Sequence, residues 1–133
     1  MNAVIVHFGK ATFAEIEGKA TLLGFVDGAV HRDDVNFYLR RYPKQELEAE
    51  YSPAELRALE VKLGTVPSSS FVVESRHGKD ARYAFEVVAQ LMTHFNPAVL
   101  DDDFGHLWSP EEIAEKRLAS PGSDIFSFRK KDG

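Results

Sequence analysis

Residues 79–113 constrain the fold more than any other part of the chain. Their first half places apolar side chains at the spacing of one helix face: Ala84, Val88, Leu91 and Phe95. This pattern predicts a long amphipathic helix with a stripe wide enough to pack on a sheet. Pro97 ends the helix because the residue before a proline disfavours the helical region. We expect a short strand over 98–101, a type I turn over 102–105 and then a return strand.

Two tetrapeptides predict where further helices begin. Ser-Pro-Ala-Glu at 52–55 and Ser-Pro-Glu-Glu at 109–112 each combine a serine N-cap, a proline at the first helical position and a glutamate at the third. We expect the first of these helices to end at Gly64, because glycine is the usual residue after a helix C-terminus. The second is expected to run to about residue 118.

Two apolar runs indicate buried strands, one at 2–8 and one at 71–75. His7 interrupts the first run, and we expect it to be a satisfied interior or sheet-end histidine rather than a ligand. The strand-helix-strand unit over 71–100 would form a right-handed crossover that places its two strands parallel.

Residues 35–41 and 46–51 alternate between apolar and polar side chains. This alternation predicts an antiparallel hairpin whose polar face sets Arg40 near the glutamates. A last edge strand is expected over 125–128.

Residues 12–34 stay undecided between helix and strand. Thr12 and Glu15 have the spacing of a capping box, which favours a helix. Asp27-Gly28 is a two-residue hairpin signal that would pair 21–26 with 29–32. We give a slight preference to strands in the second half of this segment.

These elements together predict an α+β fold with a mainly antiparallel sheet and two or three helices packed on one face. A ferredoxin-like arrangement is the specific expectation. The 133 residues match the size of a single domain, and 44% hydrophobic with 28% charged residues is typical of a globular protein. There is no cysteine for a disulfide, and no run resembles a signal peptide or membrane span. We therefore expect a cytoplasmic protein.

The sequence carries no G-x-S-x-G or H-E-x-x-H motif, and without cysteine it has no thiol nucleophile. We therefore expect no catalytic residue, no metal site and no cofactor, although the sequence alone leaves an enzyme open. The net charge of −5 argues against binding to nucleic acid or to an anionic membrane, and it suits a basic protein partner.

The first group of candidate site residues lies in the predicted turn and at the start of the following helix: Asp101, Asp102, Asp103, His106, Trp108 and Glu111. Residues 101–115 contain six carboxylates and no lysine or arginine. Turn and helix-cap chemistry is the favoured explanation, an acidic surface for a protein partner comes second, and a metal site third. Trp108 is expected more often in a core than at an interface, where it would be a strong anchor.

The second group is basic and precedes or opens the long helix: Arg76, His77, Lys79 and Arg82. A bound phosphate or carboxylate would relieve the repulsion between these cations and the helix dipole. This indicates an alternative function, a small anion- or nucleotide-binding domain or an enzyme acting on such a ligand. A solvated loop with Asp80 as N-cap is the more common outcome for such a cluster.

The helix followed by Val-Leu-Asp-Asp-Asp-Phe-Gly-His-Leu-Trp-Ser-Pro-Glu-Glu-Ile at 99–113 resembles small bacterial immunity proteins of polymorphic toxin systems. The resemblance covers about residues 71–113. It implies a noncatalytic cytoplasmic protein that binds and blocks a toxin domain, often through an acidic surface, and it transfers no active site. A homodimer formed through an edge strand is a further expectation for this chain.

Overall fold

The computed structural model describes residues 2–25, 29–32, 35–75, 78–102 and 105–119. Six strands lie in these ranges: β1 (Asn2–Phe8), β2 (Ala29–Arg32), β3 (Val35–Arg41), β4 (Ser69–Ser75), β5 (Ala98–Asp101) and β6 (Leu107–Trp108). Five helices accompany them: α1 (Phe13–Leu22), α2 (Lys44–Glu50), α3 (Pro53–Leu63), α4 (Gly78–His94) and α5 (Pro110–Ala119).

The strands form one antiparallel sheet in the order β2-β3-β4-β1-β5-β6. β1 lies inside the sheet, where His7 is opposite Ser70 of β4 on one side and Val99 of β5 on the other. Because β4 and β5 are both antiparallel to β1, they are parallel to each other, with β1 between them. The strand-helix-strand unit over 71–100 therefore does contain two parallel strands.

The inner part of this topology is ferredoxin-like. Reading β1, α1, β3, β4, α4 and β5 along the chain gives the βαββαβ order, and these strands lie in the sheet as β3-β4-β1-β5. β2 and β6 extend the two edges, and α2 and α3 are inserted between β3 and β4. The α+β class and the mainly antiparallel sheet are confirmed.

Helices cover both faces of the sheet. The larger core lies on the face with α1, α4 and α5, where Phe8 and Phe71 pack against Ile16, Met92 and Ile113. Three helices on one face agree with the expectation.

The opposite face is covered by α2 and α3, which was not expected. Leu47 packs there near Val72, while Leu59 and Leu63 pack near Val99. The strands of the central sheet are apolar on both faces because both faces are packed.

Helix caps in the structure match the sequence patterns. Thr12 and Ser52 each accept a hydrogen bond from the third residue of the helix, whose glutamate bonds back to the cap nitrogen. Ser109 and Glu112 form the same reciprocal pair at the start of α5, at 3.0 and 3.2 Å. Gly64 ends α3 with a φ of 86°, a left-handed conformation that side chains disfavour.

The strand preferred over residues 21–26 is wrong. The capping box at Thr12 leads into a helix that continues to Leu22, and β2 pairs with β3 instead. Burial of Ile16 and Ala20 stabilises this helix through tertiary packing, which outweighs a local turn signal. Residues 26–28, which carry that signal, lie outside the described residues.

The strand predicted over 46–51 is also wrong, because residues 46–50 belong to α2 and Tyr51 is its C-cap. Both edges of β3 are already paired, with β2 on one side and β4 on the other. The segment is rich in strong helix formers, and Ala49 is exposed although Leu47 is buried, which a strand face would not produce. Arg40 does lie near a glutamate of this segment, 3.9 Å from Glu46. The edge strand expected over 125–128 falls outside the described residues.

Candidate functional site

A chain of four polar side chains lies between the sheet and the α2–α3 pair, with His7 and Ser70 buried and Tyr51 and Asp101 half-buried. His7 on β1 is 0% exposed, and its Nδ1 lies 2.7 Å from Oγ of Ser70, its cross-strand neighbour on β4. The His7 Nε2 lies 3.1 Å from Oη of Tyr51. The Tyr51 hydroxyl in turn donates to Oδ2 of Asp101 on β5.

Local structure positions each member of this chain. Side chains alternate between the two faces along a strand, so His7, Ser70 and Asp101 share the face under α2 and α3. Tyr51 is the C-cap of α2, where its backbone N–H donates to Leu47 O at 2.9 Å. Its ring packs edge-to-face on the His7 ring, with centroids 5.7 Å apart. The turn between α2 and α3 is thereby attached to the centre of the sheet.

The hydrogen bonds of this chain run in one direction. Because Tyr51 gives its proton to Asp101, its oxygen is free to accept from His7 Nε2–H. In the neutral imidazole the other nitrogen is then an acceptor, so the Ser70 hydroxyl donates to His7 Nδ1. Each buried polar group therefore has a partner, which is what burial of such groups requires.

The electrostatics favour the neutral forms of His7 and Tyr51. Burial lowers the pKa of His7 to about 3. Burial also raises the pKa of Tyr51 above its usual range, and the neighbouring Asp101 carboxylate adds to this effect. Both side chains are therefore uncharged at neutral pH.

The order serine, histidine, acid is that of a catalytic triad, but the chemistry differs. In a triad the acid contacts the histidine directly and stabilises the imidazolium, whereas here the neutral Tyr51 hydroxyl lies between them. A base with a pKa of about 3 accepts a serine proton poorly at neutral pH. The arrangement is suited to fixing α2 and α3 on the sheet, not to proton transfer.

A cavity of about 290 Å³ opens beside this chain, and Ser70 lines it. The cavity lies among α2, α3 and residues 66–70. Its apolar walls are Phe13, Leu47, Leu56, Val66 and Pro67. Its polar and charged lining consists of Tyr42, Lys44, Glu48, Glu60, Ser68, Ser69 and Ser70. This volume is at the lower end for small-molecule sites and suits one large side chain.

The predicted acidic contact residues are divided by the structure. Asp102 is 0% exposed and Trp108 is 9% exposed, and the Trp108 Nε1–H donates to Asp102 Oδ2 at 2.9 Å. Asp102 Oδ1 also accepts from the His106 backbone N–H at 3.2 Å. The side chains of Asp102 and Trp108 are therefore interior and stabilise the β5–β6 connection. The prediction that these two residues are surface contacts is wrong. The reason is that the tryptophan indole supplies the partner that a buried carboxylate requires.

The remaining members lie nearer the surface. Asp101 is half-buried in the chain described above, and Glu111 is exposed. His106 Nε2 lies 2.7 Å from Glu112, and its ring packs edge-to-face on Trp108. Asp103 lies outside the described residues.

Glu112 joins α5 to α3. Its carboxylate lies 2.9 Å from Lys62 Nζ and also accepts from the Ser109 backbone. Partial burial alone would raise the pKa of Glu112, but the hydrogen bonds from Ser109, Lys62 and His106 outweigh it and lower the pKa to about 2. Glu111, the preceding residue on α5, is exposed.

The side chains of the predicted basic site lie outside the described part of the structure. Arg76 and His77 lie outside the described residues. Lys79 and Arg82 belong to α4, but their side chains lie outside the described part of the structure. Anion binding at this position stays a prediction.

Sequence reasoning did not find the buried chain as a unit. The available signal was His7 within an apolar strand, which was correctly expected to be a satisfied interior histidine. Ser70 precedes the strand expected over 71–75, and Tyr51 was expected at the end of a hairpin strand, so their convergence required the correct topology.

No protein-family model, curated protein or solved structure matches this chain. Within the described ranges, no helix has the length and apolar character to cross a membrane. The same part of the chain contains no group of three or more histidine or carboxylate side chains placed to hold a metal ion.

Proposed function

We propose that this chain is a noncatalytic module that binds a basic protein partner, in the manner of an immunity protein that neutralises a toxin. The observation that carries the proposal is an open cavity with apolar walls beside a row of exposed carboxylates on α2 and α3. The resemblance of residues 71–113 to immunity proteins supplies the biological context.

The charge of the α2–α3 pair favours a basic partner. Residues 44–60 contain five glutamates and two basic residues, which gives 2 − 5 = −3. Four of the glutamates are exposed: Glu46, Glu48, Glu50 and Glu55. Complementary charge of this kind accelerates association and suppresses wrong partners. Glu111, an exposed member of the predicted contact residues, precedes Glu112, whose carboxylate contacts Lys62 of α3.

The cavity offers a place for one anchoring side chain. Interfaces gain most of their binding energy from a few residues that enter well-packed pockets. Val66 is 55% exposed at the cavity, where a partner would cover it. The low basicity of His7 supports a binding role for this face over a hydrolytic one.

The first experiment is site-specific photo-crosslinking in cells that produce the protein. A benzophenone amino acid placed at Val66 should give a discrete protein adduct. The same group at Leu22, which is 80% exposed, serves as the matched control because it lies at the opposite end of α1 from Phe13 and does not line the cavity. Identical adducts from both positions, or none from Val66, would contradict the proposal.

Charge reversal tests the electrostatic part with the partner recovered in this way. Glu46→Lys with Glu48→Lys should slow association about tenfold at low salt and flatten its salt dependence. Glu86→Lys with Glu115→Lys, at exposed carboxylates on α4 and α5, reverses the same number of charges and controls for net charge. If the control slowed association by the same factor, α2 would not be part of the interface.

A further inference from the structure

The serine hydroxyl groups that line the cavity all donate hydrogen bonds to other groups of the protein. Ser68 Oγ donates to the carbonyl oxygens of Phe8 and Ala11, at 3.0 and 2.7 Å. Ser69 Oγ donates to the same Ala11 oxygen at 2.9 Å. The Ser70 hydroxyl donates to His7, as the direction of the buried chain requires. Each serine oxygen keeps capacity to accept a hydrogen bond, but none has a proton left to give.

The other polar groups of the lining add to this one-sided character. The Tyr42 hydroxyl donates to Glu50. Burial raises the pKa of Tyr42 above its usual range, so the phenol keeps its proton in that bond. Lys44 is the one ammonium among the described lining residues, and its Nζ lies 3.8 Å from Glu48 in exposed surroundings.

Glu60 is the carboxylate whose charge is not balanced locally. It is half-buried on α3 and lines the cavity. Among the described residues, no hydrogen bond or ion pair engages its side chain. A ligand that placed a cation beside Glu60 would compensate this charge, and an anionic ligand would face repulsion from it.

We propose that the cavity is a receptor for an arginine side chain. Lys44 and Glu48 pair with each other, and Tyr42 donates to Glu50. The lining therefore offers a ligand the serine oxygens and the Glu60 carboxylate as acceptors, which match the five N–H donors of a guanidinium. Leu47, Leu56 and Val66 supply apolar lining for the three methylene groups of arginine. Guanidinium is also less strongly hydrated than the lysine ammonium, so it enters such a site at a smaller desolvation cost.

This inference rests on the proposed function only for the identity of the molecule that carries the arginine. The site itself is testable without a partner. The probe is N-acetyl-arginine amide, followed by backbone amide shifts in two-dimensional NMR. N-acetyl-citrulline amide is the matched control, because it has nearly the same shape but carries a neutral urea in place of the guanidinium.

Arginine amide should shift the amide signals of Ser68, Ser69 and Glu60 in a saturable way at millimolar concentration. Citrulline amide should bind at least about tenfold more weakly, as expected for loss of a charge-assisted hydrogen bond. Glu60→Gln should reduce the affinity for arginine amide by a similar factor. Glu115→Gln makes the same change in net charge on α5 and should leave the affinity unaltered.

Equal binding of arginine and citrulline amides would overturn the inference, as would shifts that spread over the surface without saturation. An affinity unchanged by Glu60→Gln would overturn it as well. The proposed function fails separately, through the crosslinking pattern at Val66 and Leu22. A partner crosslinked at Val66 together with no arginine-specific shift would retain protein binding and reject the arginine receptor.

Discussion

The buried His7 makes stability depend on pH in a specific window. Its pKa is about 3 in the folded protein and 6.5 in the unfolded chain. Between these values the unfolded state binds more protons than the folded state, so stability rises with pH across this range. The contribution is fully present above pH 6.5 and is progressively lost as the pH falls toward 3.

The size of the effect follows from this difference. Where the unfolded state binds one proton more than the folded state, the free energy of unfolding changes by about 1.4 kcal/mol per pH unit. Between pH 7 and pH 5 the protonation of the unfolded histidine alone removes about 2 kcal/mol from the free energy of unfolding. This value hardly changes with the folded pKa, provided that the pKa stays well below 5.

Urea unfolding at pH 7, 6 and 5 measures this loss directly. His7→Gln should be less stable than the parent at pH 7, and its stability should fall by about 2 kcal/mol less between pH 7 and pH 5. If His7→Gln does not fold, the imidazole NMR signals of the parent still report the titration. A His7 signal that titrates near pH 6.5 in the folded protein would refute the reasoning.

Two substitutions test the other buried hydrogen bonds. Tyr51→Phe should lower the free energy of unfolding by about 1–3 kcal/mol, because it leaves His7 and Asp101 without their shared partner. Trp108→Phe should cost about 2–4 kcal/mol, because it leaves Asp102 without the indole N–H and opens a small cavity. Urea unfolding checks both, and a double-mutant cycle with Asp102→Asn should give a coupling above about 0.5 kcal/mol. Additive effects of the last pair would show that their hydrogen bond contributes nothing.

Local signals in the sequence predicted the helix boundaries well. Ser52, Ser109 and Gly64 each act through atoms within four residues, so their geometry depends little on the rest of the chain. The class of the fold and the parallel relation of β4 and β5 followed from the spacing of these elements.

Pairing of strands was harder to predict because it depends on competition between distant segments. The alternation at 46–51 is compatible with a strand. However, β3 is already paired on both sides, with β2 and with β4, so no edge is left for a further strand. The sequence of that segment therefore forms a helix, and its Leu47 covers a second sheet face that local patterns do not indicate.

The candidate site shows the same limit. His7 is separated from Tyr51 by 44 positions and from Ser70 by 63, so no spacing rule connects them. In the acidic turn, by contrast, residues that are neighbours in the sequence are separated in the structure. The three consecutive aspartates suggested one shared surface. The register instead turns Asp101 toward Tyr51, while Asp102 is held by Trp108.

The position of β1 between β4 and β5 has a consequence for how the chain folds during synthesis. β1 precedes both of its neighbours in the chain: Val6 pairs with Phe71 and Leu100, which are synthesised 65 and 94 residues later. Pairings this distant in sequence slow folding and lengthen the time for which an apolar strand stays unpaired. A nascent chain that stops before β5 has a central strand with one open edge. Completion of Ala98–Asp101 is therefore the step that allows the second edge of β1 to pair within the protein.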